Sequence, residues 1–118
     1  MTFSRMKGSV NIERHGQIIK IRPGKLEEYR EIHSDAWPQV LEMIRKCNIR
    51  NYSIFHREGY LFAYFEYTGE DFKADMARMA ADPVTQKWWS ITDPMQEPLE
   101  SREEGEWWAE MEEVFHTD

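Results

Sequence analysis

The sequence predicts an α+β fold of ferredoxin-like βαββαβ order: a four-stranded antiparallel sheet with its helices on one face. Three observations predict it. Runs rich in β-branched and aromatic residues stand at 17–22, 51–56, 60–67 and 107–116. Between them, over 25–47 and 70–89, apolar residues recur at helical spacing. The chain has 118 residues, 41% apolar and 14% aromatic, which supplies one core and leaves too little for a second.

Each element follows from local chemistry. Gln17 to Arg22 reads Gln-Ile-Ile-Lys-Ile-Arg and stops at Pro23-Gly24, a strand ending in a turn. From Lys25 to His33 the pattern turns helical, with Leu26, Tyr29, Ile32 and His33 on one side. Proline suits the first turn of a helix and damages its interior, so Pro38 marks a second helix. It is expected to start near Asp35, with Ser34 or Asp35 as its cap. Val40, Leu41, Ile44 and Cys47 form its buried stripe, and Asn48 is its stop. Two strands follow, Asn51 to His56 and Tyr60 to Tyr67, joined by the short hairpin connection Arg57-Glu58-Gly59. The stretch from Glu70 to Ala80 is helical, with Phe72, Met76 and Met79 on one face. Asp82-Pro83 is the cap and first position of a short helix through Trp89. Residues 93–106 are irregular, and a last strand is expected from Trp107 to His116. Residues 1–13 read as an N-terminal extension and 14–118 as a single domain.

Charge excludes several classes of function. The formal net charge is −7, and residues 93–118 hold ten acids against one base, Arg102. Such a chain lacks the basic footprint of nucleic-acid binding and the polybasic patch of a membrane-surface protein. No apolar run approaches the ~20 residues of a membrane span, and the N-terminus has no secretory h-region. A lone cysteine, Cys47, excludes an intrachain disulfide and a Cys-rich zinc site. The expectation is a cytoplasmic globular domain. Trp107, Trp108, Met111, Val114 and Phe115 interleave the acidic end, which favours an ordered segment over a tail.

A sheet with helices on one side leaves its other face bare, and here that face carries aromatic residues. Exposed apolar sheet pairs, binds a ligand or is covered. A homodimer packed sheet against sheet, enclosing a cavity, answers that need.

One cluster stands out for chemistry. Tyr29 and His33 lie four residues apart, on one helical face, with Trp37-Pro38 directly after. Imidazole changes charge near pH 7 and is the commonest general acid or base; alternatively, His33 only ends a helix whose dipole favours a cation. Trp88-Trp89 offer indole surfaces on which the C–H face of a sugar stacks, or simply two core tryptophans. Tyr52, on a strand facing the cavity, offers a phenol to a ligand or is an ordinary strand aromatic. His56 sits at a hairpin and reads as exposed, and no histidine pair has a metal-ligand spacing. No Gly-rich phosphate loop occurs, and Cys47 reads as core. Neither cofactor nor metal is expected.

The ordered motifs identify a family. Arg-Pro-x4-Glu-Tyr-x3-His-x3-Trp-Pro from Arg22 to Pro38 resembles the opening of the L-rhamnose mutarotase family. The resemblance continues through Asn51-Tyr52-Ser53-Ile54, Leu61-Phe62-Ala63, Gln86-Lys87-Trp88-Trp89 with Thr92-Asp93, and Met111-Glu112-Glu113-Val114-Phe115. It implies a dimeric α/β-barrel isomerase that interconverts the anomers of a 6-deoxy sugar, L-rhamnose first and L-fucose as the alternative. By resemblance His33 is the proton donor, and Tyr29, Tyr52, Trp88 and Trp89 bind the monosaccharide. Tyr29, Asp93 or a water would serve as the second acid/base group. Gln39 stands where the family has Glu after Trp-Pro, which leaves that role to Glu42 or to no residue. The stretch Glu97 to Trp108 is longer than in the best-known members. The other readings are a cofactor-independent monooxygenase-like or haem-handling barrel, by fold analogy alone, and a non-catalytic sugar-binding module.

Overall fold

The structure is a computed structural model that describes residues 12–118. In chain order it contains β1 (Glu13–Ile21), α1 (Leu26–Ser34), α2 (Pro38–Lys46), β2 (Ile49–Arg57) and β3 (Tyr60–Tyr67). Then come α3 (Phe72–Ala80), α4 (Pro83–Thr92), a 3-10 turn (Asp93–Met95), β4 (Gln96–Glu97) and β5 (Ala109–Met111). The strands form one antiparallel sheet in the order β2-β3-β1-β4, and β5 also pairs β1. The expected extension over 1–13 lies outside the described residues except for Ile12 and Glu13, and Glu13 already opens β1.

Strand alternation decides which face is covered. Along β3, Leu61, Ala63, Phe65 and Tyr67 are buried, and the residues between them are not. Ile19 of β1 lies opposite Leu61, so it shares that face. The helices pack there. Ile19, Ile21, Tyr29, Leu61 and Met95 form one core cluster against Leu26, Ile54, Ile91 and Trp108. Ile49, Phe65 and Tyr67 form another, against Ile44, Phe72, Met76 and Met79. The outward face carries Phe55, Tyr60, Phe62 and Tyr64, with Phe55 65% exposed.

Helix ends follow their capping chemistry. Asp82 accepts the Thr85 N–H at 2.9 Å ahead of Pro83, and Asp71 caps α3 through Ala74 N–H at 3.1 Å. The expected cap of α2 is corrected. That helix starts at Pro38 with Trp37 at the cap position and no side-chain cap, while Asp35 terminates α1. Ser34 instead donates to the Glu31 carbonyl at 2.7 Å. A residue before proline is driven out of the helical region, and Trp37 is accordingly extended at φ −64°, ψ 133°. Asn48, the expected stop, is left-handed at φ 67°. The β2–β3 hairpin turns on Glu58 and Gly59, both with positive φ, the signature of a two-residue turn.

Two features of the sheet differ from expectation. The fourth strand position is shared: β4 pairs Lys20–Ile21, and β5 pairs Gly16 to Ile18. The last strand is only Ala109–Met111; β4 takes the β1 edge beyond Ile18, which excludes Trp107 and Trp108 from it. From Glu112 onward the chain pairs with no strand among the described residues, although Arg14 donates twice to the Glu113 carboxylate at 3.1 and 3.0 Å. Secondly, β2 contains a bulge. Arg50 pairs with Glu66 and Ser53 with Tyr64, which leaves one extra residue, and Asn51 takes φ 52° there. With period-two alternation, that extra residue puts both Ile49 and Tyr52 on the helix-covered face.

Candidate active site

A cavity of about 990 Å³ opens between the helices and the inward face of the sheet. It lies within one chain, on the helix-covered face of the sheet. Tyr29 and His33 from α1, Tyr52 from β2, and Trp88 and Trp89 from α4 all line it. Asp93, Gln96 and Trp107 line it as well.

His33 occupies the last turn of α1 and is half-buried. Its Nδ1 lies 2.7 Å from the Tyr29 carbonyl oxygen. A carbonyl only accepts, so Nδ1 carries the hydrogen, and in the neutral ring Nε2 holds the lone pair. The ring packs against Tyr29 at 4.1 Å between centroids and meets the edge of Trp88 at 5.3 Å. Trp37 backs Trp88 at 5.1 Å from the side. Burial lowers the His33 pKa from its ordinary value, and the bond to the Tyr29 carbonyl opposes that only in part. The neutral imidazole is thus the resting form near pH 7.

The phenols keep their protons. Desolvation pushes Tyr29 up, helped by Tyr52 and Asp93 and opposed by a hydrogen bond from Gln96. Tyr52 exposes 42% of its surface, where the cavity opens, yet its phenol is pushed up to about 12 by desolvation. Its ring meets the edge of Phe65 at 5.6 Å. Burial also raises the Asp93 carboxyl.

Sequence reasoning named six candidate site residues that line the cavity, Asp93 among them, and misplaced or overlooked others. His56 is exposed as expected, but it also stands at the rim of the cavity, where its Nε2 accepts the Gly59 N–H at 3.1 Å. Gln39 and Glu42 are exposed on α2 outside the cavity lining, and Glu42 faces Lys46 at 3.9 Å. Gln96 was not foreseen: a polar residue in an irregular stretch carries no local signal of burial. It is 3% exposed. Trp107 was legible only as one of the apolar residues that interleave the acidic end. Cys47 is fully buried, with its thiol pushed up by desolvation. Among the described residues no cluster of three His, Cys, Asp or Glu is placed to hold a metal ion. Among the same residues, no helix is long and apolar enough to cross a membrane.

Fold and pocket together define a class: a ferredoxin-like half-barrel of the dimeric α/β-barrel type, with an aromatic pocket beneath its helices. Two solved structures share the fold. An L-rhamnose mutarotase from Formosa agariphila superposes with a TM-score of 0.71 at 24% identity, covering 90% of this chain and 99% of that one. The tetracenomycin F2 cyclase of Streptomyces glaucescens superposes at 0.66 with 12% identity and the same coverage. In sequence, the L-rhamnose mutarotase family profile matches residues 14–117. The L-rhamnose mutarotase of Oceanobacillus iheyensis is 30% identical over 109 residues, 91% of this chain and 100% of that protein. That of Lactiplantibacillus plantarum is 31% identical over 107 residues, 89% of this chain and 98% of that protein. The chain belongs to the L-rhamnose mutarotase family, and with it to the isomerases.

Proposed function

We propose that this protein interconverts the α and β anomers of a 6-deoxyhexose, L-rhamnose before L-fucose, with His33 as the proton-transfer group. The observation that carries this reading is the bond from His33 Nδ1 to the Tyr29 carbonyl at 2.7 Å, because it leaves Nε2 free for chemistry. Resting neutral, Nε2 takes the proton of the anomeric hydroxyl; as imidazolium, the same ring gives a proton to the ring oxygen. The C1–O5 bond breaks as the C1=O1 carbonyl forms, and rotation about C1–C2 lets O5 close on the opposite face. The expected proton donor therefore acts first as a base. One such group supplies roughly 10²–10⁴-fold. Tyr29 and Tyr52 retain their protons and serve as donors to sugar oxygens. Trp88 and Trp89 supply apolar surface for the C–H face and the methyl group.

The reading extends to assembly as a homodimer. Phe55, Tyr60, Met111, Val114 and Phe115 are exposed, Val114 by 86% and Phe115 by 79%. Sheet-to-sheet contact with a second copy buries the outward aromatic row, and the C-terminal segment is then available to the partner.

Saturation-transfer NMR of equilibrated L-rhamnose and L-fucose measures anomer exchange directly. The protein is expected to accelerate exchange of L-rhamnose above the buffer rate, and of L-fucose less. Ligand binding at the buffer exchange rate identifies a sugar-binding module instead.

A further inference from the structure

The mechanism above makes no use of Gln96 and Trp107, although a hydrogen-bond chain runs through them, buried at Gln96 and Tyr29 and reaching the surface at Trp107, which is 39% exposed. Trp107 Nε1 donates to Gln96 Oε1 at 2.7 Å, and Gln96 Nε2 donates to the Tyr29 hydroxyl oxygen at 3.0 Å. The direction of this chain is not arbitrary. An indole N–H donates and never accepts, so the end of the Gln96 amide that meets it must be the oxygen. The opposite end is then the NH2 group, which donates only. The Tyr29 oxygen must accept from it, and its own hydrogen must point elsewhere. Tyr29 faces the cavity, with Asp93 and Tyr52 near enough to influence its ionisation.

We infer that Gln96 and Trp107 are positioning residues that turn the Tyr29 hydroxyl hydrogen into the pocket, making Tyr29 a directed donor to the bound sugar. The inference rests on the sugar-pocket reading above. It assigns a purpose to the 97–108 stretch: that stretch closes back over the pocket and delivers the one indole that sets the polarity of the chain. It also constrains the ligand. Where the sugar meets Tyr29 it must present an acceptor, and the ring oxygen, with lone pairs and no hydrogen, is the sugar atom that only accepts.

Trp107→Phe removes the indole N–H and keeps an aromatic ring. Gln96 is then free to turn its oxygen toward Tyr29 and take the hydrogen away from the pocket. Anomer-exchange kinetics on L-rhamnose should show kcat/KM reduced about tenfold by Trp107→Phe, and by a similar factor by Tyr29→Phe. In the Tyr29→Phe background, Trp107→Phe should change it less than twofold, since the group it orients is gone. A loss through general loosening of the fold adds in full to Tyr29→Phe, and that result overturns the inference, as does an unchanged kcat/KM in Trp107→Phe. Without any sugar, the Trp107 Nε1–H resonance should exchange slowly with solvent and shift on Gln96→Leu; rapid exchange in the wild type also overturns it. If the wild type accelerates no sugar at all, the pocket reading fails and this inference with it. An active wild type with an additive double mutant sinks the relay alone.

Discussion

The two faces of the sheet are built from the same strands and share an aromatic composition, yet they are finished differently. On β3, Phe65 and Tyr67 point inward and are buried, while Tyr60, Phe62 and Tyr64 point outward. Inside, three aromatics have a defined polar partner: Tyr67 donates to Asp75 at 2.6 Å, and Tyr29 and Trp107 are tied to Gln96. Outside, the polar links lie toward one end, where Tyr64 donates to Glu66 at 2.8 Å and Arg14 holds Glu113. Phe55 and Phe115 are simply exposed. Aromatic content therefore does not distinguish a pocket from an interface. What distinguishes them is whether the chain itself supplies the second layer and the hydrogen bonds that orient the rings.

That contrast breaks cleanly if each face can be damaged alone. The largest effect is expected from His33→Ala, which should reduce the acceleration of L-rhamnose anomer exchange by about 10²–10⁴-fold, the share one acid/base group contributes. Its sedimentation should match the wild type; a change in self-association in this variant would merge the two faces into one functional unit. The pH profile sharpens the same point. Burial lowers the His33 pKa, so the neutral, proton-accepting form persists through pH 7 and is lost only as pH falls below about 6.5. The exchange rate should be flat above that value and fall by up to tenfold per pH unit on the acid side. A limb centred above pH 7 would remove His33 as the base.

A smaller effect is expected on the outward face. Phe55→Arg places a charge in the middle of the exposed aromatic row and should weaken self-association by about 30- to 150-fold, the ~2–3 kcal/mol of a buried aromatic anchor. Analytical ultracentrifugation reads that shift, and an unchanged profile removes this face as the dimer contact. The smallest effect concerns the bulge that joins the two faces. Asn51 holds φ 52° and donates to Glu66 Oε1 at 2.7 Å. Asn51→Ala should cost about 1–2 kcal/mol in chemical denaturation, because a Cβ-bearing residue without a polar side chain resists the left-handed region. Asn51→Gly relieves the backbone term and should cost less. Equal costs would mean that the side-chain bond, not the conformation, holds the bulge.

Much of the pocket was legible in the sequence because its parts are local. The four-residue spacing of Tyr29 and His33 on a helix sets them side by side whatever the rest of the chain does, and Asp82-Pro83 starts α4 on capping chemistry alone. The hairpin at Glu58-Gly59 and the stop at Asn48 are legible for the same reason. Gln39 and Glu42 were harder to judge, since a helix position says nothing about which neighbour it meets.

Local sequence was enough for the order of helices and strands, the histidine of α1, the tryptophans of α4, and the family. All of these depend on spacings shorter than two helical turns or on motifs in register along the chain. Tertiary packing alone settled which face of the sheet holds the cavity, the bulge that turns Tyr52 onto it, and the sharing of the fourth strand position between β4 and β5. The same holds for Gln96, buried between Tyr29 and Trp107. Each of these depends on partners far apart in the chain, Tyr29 and Gln96 by 67 residues, and on one inserted residue in β2. Alternation along a strand is strict, so a single bulge reverses every side chain beyond it, and no local pattern announces which strand will carry one.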